Sequence, residues 1–218
     1  QSCRDPSTMK LLAPCQEIDF RTEDVFGEPF QLSELLGRRV VLSFFRDAAC
    51  PFCNYRLYEL TQQHKVLQAS GVEIVTVFSD TADQVKKYVA KRPRPFTMIC
   101  DPNLELYNQY GVQKSSSALV KAFLFDLPEI VRGFLKGARP TNNPHMTLVP
   151  ADFLIDTDGR VVQVYYGKTT ADHIPLDNLK AFAKSNQKNN AVRLENEVKR
   201  LTEENARLRS NSPDTKPD

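Results

Sequence analysis

The chain has 218 residues, of which 41% are hydrophobic and 26% charged, with a net charge of +2 at pH 7. That length accommodates one domain of roughly 150–190 residues plus an appendage, and so small a charge gives no argument for nucleic acid or a membrane surface as partner. No apolar run reaches the ~18 residues of a membrane span, and no charged start leads into an apolar signal core.

Residues 1–16 are polar, carry Cys3 and Cys15, and read as an N-terminal extension. Met9-Lys10-Leu11-Leu12 stands as an alternative biological start. Five cysteines (3, 15, 50, 53 and 100) do not make a disulfide scaffold in a chain this long, so a cytoplasmic location is expected. Ile18 to Thr22 alternates like an edge strand, with a turn at Gly27-Glu28-Pro29. Ser33 to Gly37 reads as a single helical turn ended by glycine. Val40 to Phe45 is apolar at nearly every position, which predicts a strand covered on both faces.

A helix follows, opening on Cys50-Pro51-Phe52-Cys53 and running to about Ser70, where Gly71 stops it. Pro51 suits the first helical position, where a missing N–H costs nothing. Cys50 then stands at a helix N-terminus, where free N–H groups and the dipole favour an anion. A thiol there falls from ~8.5 to between ~3.5 and ~7.5. Cys53 lies one turn further in, close enough to close a disulfide. Thiol redox is the chemistry this stretch implies.

The helix buries Cys53, Leu57, Leu60, His64 and Leu67 at helical spacing. His64 is thereby a packed histidine, roughly 16 Å along the axis from Cys53 at 1.5 Å per residue, too far to take a proton from either thiol. Val72 to Phe78 is the next strand, Ser79-Asp80-Thr81 caps a helix through Val89, and Pro93 and Pro95 end it. Phe96 to Cys100 is a short strand, Asp101-Pro102 opens the helix Leu104 to Tyr110, and the alternation predicts parallel strands with helical crossovers. Cys100 is expected to be an inert, largely buried thiol. An apolar insertion spans Ser117 to Gly137, read as a helical hairpin. His145 falls in a loop and is read as solvated. Ala151–Asp156 and Val161–Tyr166 are two strands joined at Asp158-Gly159. Pro175 to Lys184 closes the domain as an amphipathic helix.

Placed together, these elements resemble the thioredoxin fold of the AhpC/TSA, or peroxiredoxin-like, family. The resemblance covers about Met9 to Ser185. It rests on Cys-Pro-Phe-Cys, on Cys100-Asp101-Pro102 running into Tyr110-Gly111-Val112, and on Phe153-Leu154-Ile155-Asp156 with its Asp-Gly hairpin. A redoxin group of that family carries R-x-x-x-C-P-x-C, matched here by Arg46 to Cys53. The resemblance implies an α/β fold with a central mixed sheet, Cys50 as nucleophile, Cys53 as resolving thiol, and Arg46 and Pro51 as positioning residues. No cofactor is expected.

The chain also departs from the family. Asp47 stands three before Cys50, where typical members place Thr or Ser, and Ser43 stands where they place Pro. Pro150 occupies the place of their late arginine. It matches instead the cis-proline of thioredoxins, where the preceding backbone, here Val149, is presented to substrate. Peroxiredoxin architecture with a thioredoxin-type site is therefore the expectation, with Pro150 in cis and beside Cys50.

Two chemistries follow. In a thiol–disulfide oxidoreductase, Cys50 attacks a substrate disulfide and Cys53 resolves the mixed disulfide. In a peroxidase, Cys50 becomes a sulfenic acid with which Cys53 condenses. Arg46 stabilises the thiolate or merely pairs with Asp47 at the surface. A dithiol reductant such as thioredoxin or glutathione would regenerate the site. One C-x-x-C is half a zinc site, and the other cysteines supply no second pair at useful spacing. A non-catalytic interaction module on the same fold is the remaining alternative.

The organisation expected is an extension over 1–16, a domain over 17–185 with a helical insertion at 118–137, a link at 186–190, a coiled coil over 190–210 and a disordered tail over 211–218. Leu194, Leu201 and Leu208 recur at sevens, with Ala191, Val198 and Asn205 at the alternate core position. Leucine at d, with valine and one asparagine at a, favours two parallel strands. A homodimer through Leu194, Val198, Leu201, Asn205 and Leu208 is the expected partner arrangement.

Overall fold

The computed structural model describes residues 3–90, 94–115, 145 and 147–210. The insertion expected at 118–137 and the tail at 211–218 lie outside them.

A six-stranded mixed sheet runs in the order β1-β8-β7-β4-β5-β6. Its strands are β1 (Cys15–Gln16), β4 (Arg39–Phe45), β5 (Val72–Phe78), β6 (Thr97–Cys100), β7 (Ala151–Ile155) and β8 (Arg160–Tyr166). Strands β4, β5 and β6 are parallel, whereas β7 pairs antiparallel with both β4 and β8. A separate ribbon pairs β2 (Arg21–Glu23) with β3 (Pro29–Gln31) around Gly27, which adopts φ +90°. The edge strand expected at Ile18 thus begins later, at Arg21.

Crossovers are made by α1 (Pro51–Ala69) between β4 and β5, and by α2 (Ala82–Tyr88) between β5 and β6. Helix α3 (Glu105–Gln109) follows β6, and Asp101 accepts hydrogen bonds from the N–H groups of Glu105, Leu106 and Tyr107 at its start. Every residue of β4 is buried because each face of the sheet is covered. Val41 and Phe45 pack with Leu57, Leu60, Leu179 and Phe182. Val40, Leu42 and Phe44 pack on the opposite face with Tyr107, Tyr110 and Phe153. Period two in a strand sends alternate side chains to opposite layers, so β4 serves both cores.

The segment before β1 is no appendage. Leu11 and Cys15 are buried in the second core, and β1 pairs with β8. Gly111 receives this segment, because a Cβ there would stand 2.5 Å from the Met9 carbonyl oxygen, and its φ of +68° also favours glycine.

The link expected at 186–190 is a second correction. Helix α4 runs without a break from Leu176 to Ser210. Asparagine lowers helix propensity only modestly, and no Gly or Pro lies between Leu176 and Ser210 to stop it. Its first turns are anchored by Arg39, whose Nη1 donates to the Phe182 carbonyl and to Ser185 Oγ while its Nε pairs with Asp156 at 2.8 Å.

Candidate active site

Strand β4 ends at Phe45 in the buried centre of the sheet and hands the chain to a five-residue loop, Arg46 to Cys50, before α1. Loop conformation is fixed from three sides. Ala48 N–H donates to Asp80 Oδ2 at 2.6 Å and Ser79 Oγ donates to the Arg46 carbonyl, both from the end of β5. Asp47 Oδ1 accepts from Ala49 N–H at 2.7 Å. From within α1, the Asn54 side-chain amide donates to the carbonyls of Ala48 and Cys50. Such ties remove the entropy a surface loop would otherwise keep, so the sulfur of Cys50 is held in one place.

Cys50 is the N-cap of α1 and Pro51 its first helical residue. Both cysteines of the motif are free thiols, Cys50 being 4% exposed and Cys53 1%. Arg46, 6% exposed, directs Nη2 to the Cys50 sulfur at 2.7 Å. This places Arg46 inside the site rather than in a surface pair with Asp47.

Burial pushes the Cys50 thiol up, but a hydrogen bond from Cys53, the Arg46 charge and the Cys53 backbone N–H outweigh it, leaving a pKa of about 6. Cys53 moves the opposite way, well above an ordinary thiol, through burial, its hydrogen bond to Cys50 and the neighbouring negative charge. The two sulfurs therefore divide one proton unequally: Cys50 is the thiolate and Cys53 keeps its hydrogen as donor. That asymmetry suits a nucleophile paired with a resolving thiol.

Pro150 does not behave as the sequence leads one to expect. The only cis peptide among the described residues joins Ala13 to Pro14, so the Val149–Pro150 bond is trans. Val149 N–H donates to the Gln113 carbonyl, the Pro150 carbonyl accepts from Gly167, and β7 begins at the next residue. Val149 and Pro150 line a recess whose other walls include Lys10, Gln113, Tyr166 and Lys168. Arg46, Cys50 and Cys53 are brought together by the loop and the first turn of α1; Val149 and Pro150 immediately precede β7, whose Ala151 pairs with Phe44 near the end of β4.

Cys100 ends β6 half-buried, and burial followed by the nearby Asp80 pushes its thiol up to about 12. His64 is buried against Phe96, as its place on the helix stripe predicts. Among the described residues no group of acidic, histidine and cysteine side chains could hold a metal ion.

Sequence reasoning missed the supports of the loop. Asp80 was legible only as part of a helix cap, yet burial and the neighbouring Asp47 raise its carboxyl to about 6. It missed as well a buried network under the sheet, where Asp152 accepts from Ser43 Oγ at 2.6 Å and Ile174 N–H at 2.8 Å and meets His173 Nδ1 at 3.2 Å. The one available signal was an aspartate inside an otherwise apolar strand.

A model of the AhpC/TSA family matches residues 14–164. The chain belongs to that family. Among its relatives, peroxiredoxin Bcp of Escherichia coli (strain K12) is 23% identical over 154 residues, which is 71% of this chain and 85% of the relative. A thiol-disulfide oxidoreductase, ResA of Halalkalibacterium halodurans, is 28% identical over 99 residues, 45% of this chain and 56% of that one. In structure, the chain is similar to peroxidoxin BcpB from Mycobacterium tuberculosis, with a TM-score of 0.58 at 21% identity, covering 79% of this chain and 96% of that one.

Proposed function

We propose that the chain is a thiol peroxidase in which Cys50 attacks a small hydroperoxide and Cys53 resolves the product. As a member of the AhpC/TSA family with relatives named peroxiredoxin and thiol-disulfide oxidoreductase, it is a thiol-dependent oxidoreductase. The observation that carries the peroxidase reading is the 2.7 Å contact between Arg46 and a Cys50 sulfur only 4% exposed. A sulfur so enclosed is reached more easily by a small oxidant than by the disulfide of a folded protein. Arg46 also supplies a cation for the alkoxide that leaves when the O–O bond breaks.

The Cys50 thiolate attacks the terminal oxygen of the hydroperoxide, and the O–O bond breaks with that oxygen and its hydrogen kept on sulfur. The other oxygen leaves as an alkoxide that takes a proton from solvent to become the alcohol (water when the oxidant is hydrogen peroxide). Cys50 becomes a sulfenic acid. The Cys53 sulfur, already hydrogen-bonded to Cys50, then attacks and water leaves, so both thiols are oxidised to one disulfide. An external dithiol such as thioredoxin or glutathione returns the pair to the reduced form.

The paired thiols themselves favour one second reading, a thiol–disulfide oxidoreductase, since the same asymmetry serves attack on a disulfide. Stopped-flow oxidation of the reduced chain separates the two. Reaction with hydrogen peroxide should outrun reaction with an accessible protein disulfide; the reverse order overturns the peroxidase reading.

The chain works in the cytoplasm, supported by its few cysteines in a long chain. It forms a homodimer through the outer half of α4, supported by the exposure of Leu194 (65%), Val198 (62%) and Leu201 (45%) along one heptad seam. In a parallel pair Glu204 faces Arg209 of the second copy, whereas an antiparallel pair would oppose Glu197 and Glu204, two like charges.

A further inference from the structure

Outside the 46–53 segment, the N-terminal segment carries two further thiols, Cys3 and Cys15. Both are free, Cys15 buried and Cys3 half-buried, and both pack in the same apolar cluster with Leu11, Phe20 and Val161. They are brought together by the fold of the N-terminal segment. Arg4 bridges antiparallel to Leu11, and Leu12 N–H donates to the Cys3 carbonyl at 2.9 Å, so the chain doubles back before entering β1. The doubled segment is docked by Arg4 on the Gln109 carbonyl, by Leu11 N–H on Tyr166 Oη at 2.8 Å, and by Gln113 on the Thr8 carbonyl.

We propose that Cys3 and Cys15 form a second redox-active dithiol, oxidised by disulfides of small molecules or proteins independently of Cys50 and Cys53. The more accessible Cys3 begins. Its thiolate attacks one sulfur of the oxidant disulfide and the first thiolate leaves. Cys15 then gives up its proton and attacks the Cys3 sulfur, releasing the second thiolate. Two protein thiols lose two electrons and two protons, and the oxidant disulfide becomes two thiols. Burial and the nearby Cys3 push the Cys15 thiol up to about 11, which agrees with its taking the second role. The doubled backbone holds both side chains in one apolar cluster, from which the ~2.05 Å bond would form.

This pair cannot exchange with the other within one molecule. Cys15 pairs with Val161, which aligns through Ile155 with Val40 at the start of β4. Cys50 lies beyond the far end of that strand, at least about 17 Å away at ~3.3 Å per residue. Closing the bridge fixes the doubled segment in place, and with it Lys10, which walls the recess of Val149 and Pro150.

The test uses the full chain carrying Cys50→Ser and Cys53→Ser, exposed to oxidised dithiothreitol and then to N-ethylmaleimide. Trypsin cuts after Arg4 and Lys10, so the two cysteines leave on separate peptides unless they are bridged. The expected result is loss of labelling at Cys3 and Cys15 together, with one peptide linking them that reduced dithiothreitol separates. Independent labelling of the two, or a bridge from Cys3 to Cys100 or to a second chain, overturns the proposal. Wild-type protein mapped in parallel keeps the test decisive if the double variant does not fold. It should then carry two separate intramolecular bridges, and absence of the Cys3–Cys15 link in it is equally fatal.

Discussion

Arg46 donates to the sulfur of Cys50 across 2.7 Å, and neither residue is more than 6% exposed. A guanidinium is charged at any pH a protein survives, so burying it beside a thiol makes the thiolate the better-matched partner. Removing it leaves the Cys50 charge with the Cys53 hydrogen bonds alone. Arg46→Met should therefore raise the Cys50 pKa by roughly one to two units and slow alkylation near neutral pH. Iodoacetamide rates measured across pH decide this, and an unchanged profile would show that the contact carries no electrostatic weight.

Cys53→Ser should leave attack by Cys50 intact and abolish resolution. Oxidant would then arrest the protein as a sulfenic acid or a mixed disulfide on Cys50, visible by mass spectrometry. Continued turnover at the wild-type rate would mean that another thiol resolves, with Cys100 the first to check. Its pKa of about 12 argues against that role.

Asp80 gives a stability prediction with a definite sign. Its carboxyl rises from 3.8 to about 6 in the fold, so the folded state binds its proton more tightly than the unfolded state. The stabilisation this contributes is present below about pH 4 and is lost as pH rises through about 6. Asp80→Asn keeps an acceptor for Ala48 N–H and carries no charge. Its melting temperature should exceed that of wild type above about pH 6 and converge with it below about pH 4. A variant that melts lower at both ends would mean that the ionised carboxylate is what holds the loop.

The outer half of α4 should govern association. A chain ending at Ser185 should sediment as a smaller species than the intact chain at micromolar concentration, with Asn205→Val shifting the intact chain toward other oligomers, because a lone asparagine at an a position fixes register. If truncation leaves the association state unchanged, the zipper is not the interface.

Much of this was legible from residue order. The run Val40–Phe45, apolar at every position but Ser43, pointed to the doubly covered strand, and Pro51 after Cys50 marked the first turn of α1. Period-two alternation hid the rest, because it reports which residues are buried and not which polar partners they find there. Ser43 and Asp152 sit opposite one another on adjacent antiparallel strands, 109 residues apart in the chain, and only the register joins them. Asp80 reaches the Cys50 loop from the end of β5 in the same way, 32 residues from Ala48. The cis expectation at Pro150 failed because it rested on resemblance alone, and no residue pattern in the chain reports the isomer of an X–Pro bond.

Site-resolved alkylation of the fully reduced chain across pH tests the central claim most directly. Cys50 should react first, with a midpoint near its pKa of about 6, while Cys53 stays unreactive until well above the range of an ordinary thiol. Earlier reaction at Cys53, or a common midpoint near the ~8.5 of a free cysteine, would contradict the assignment of Cys50 as the nucleophile.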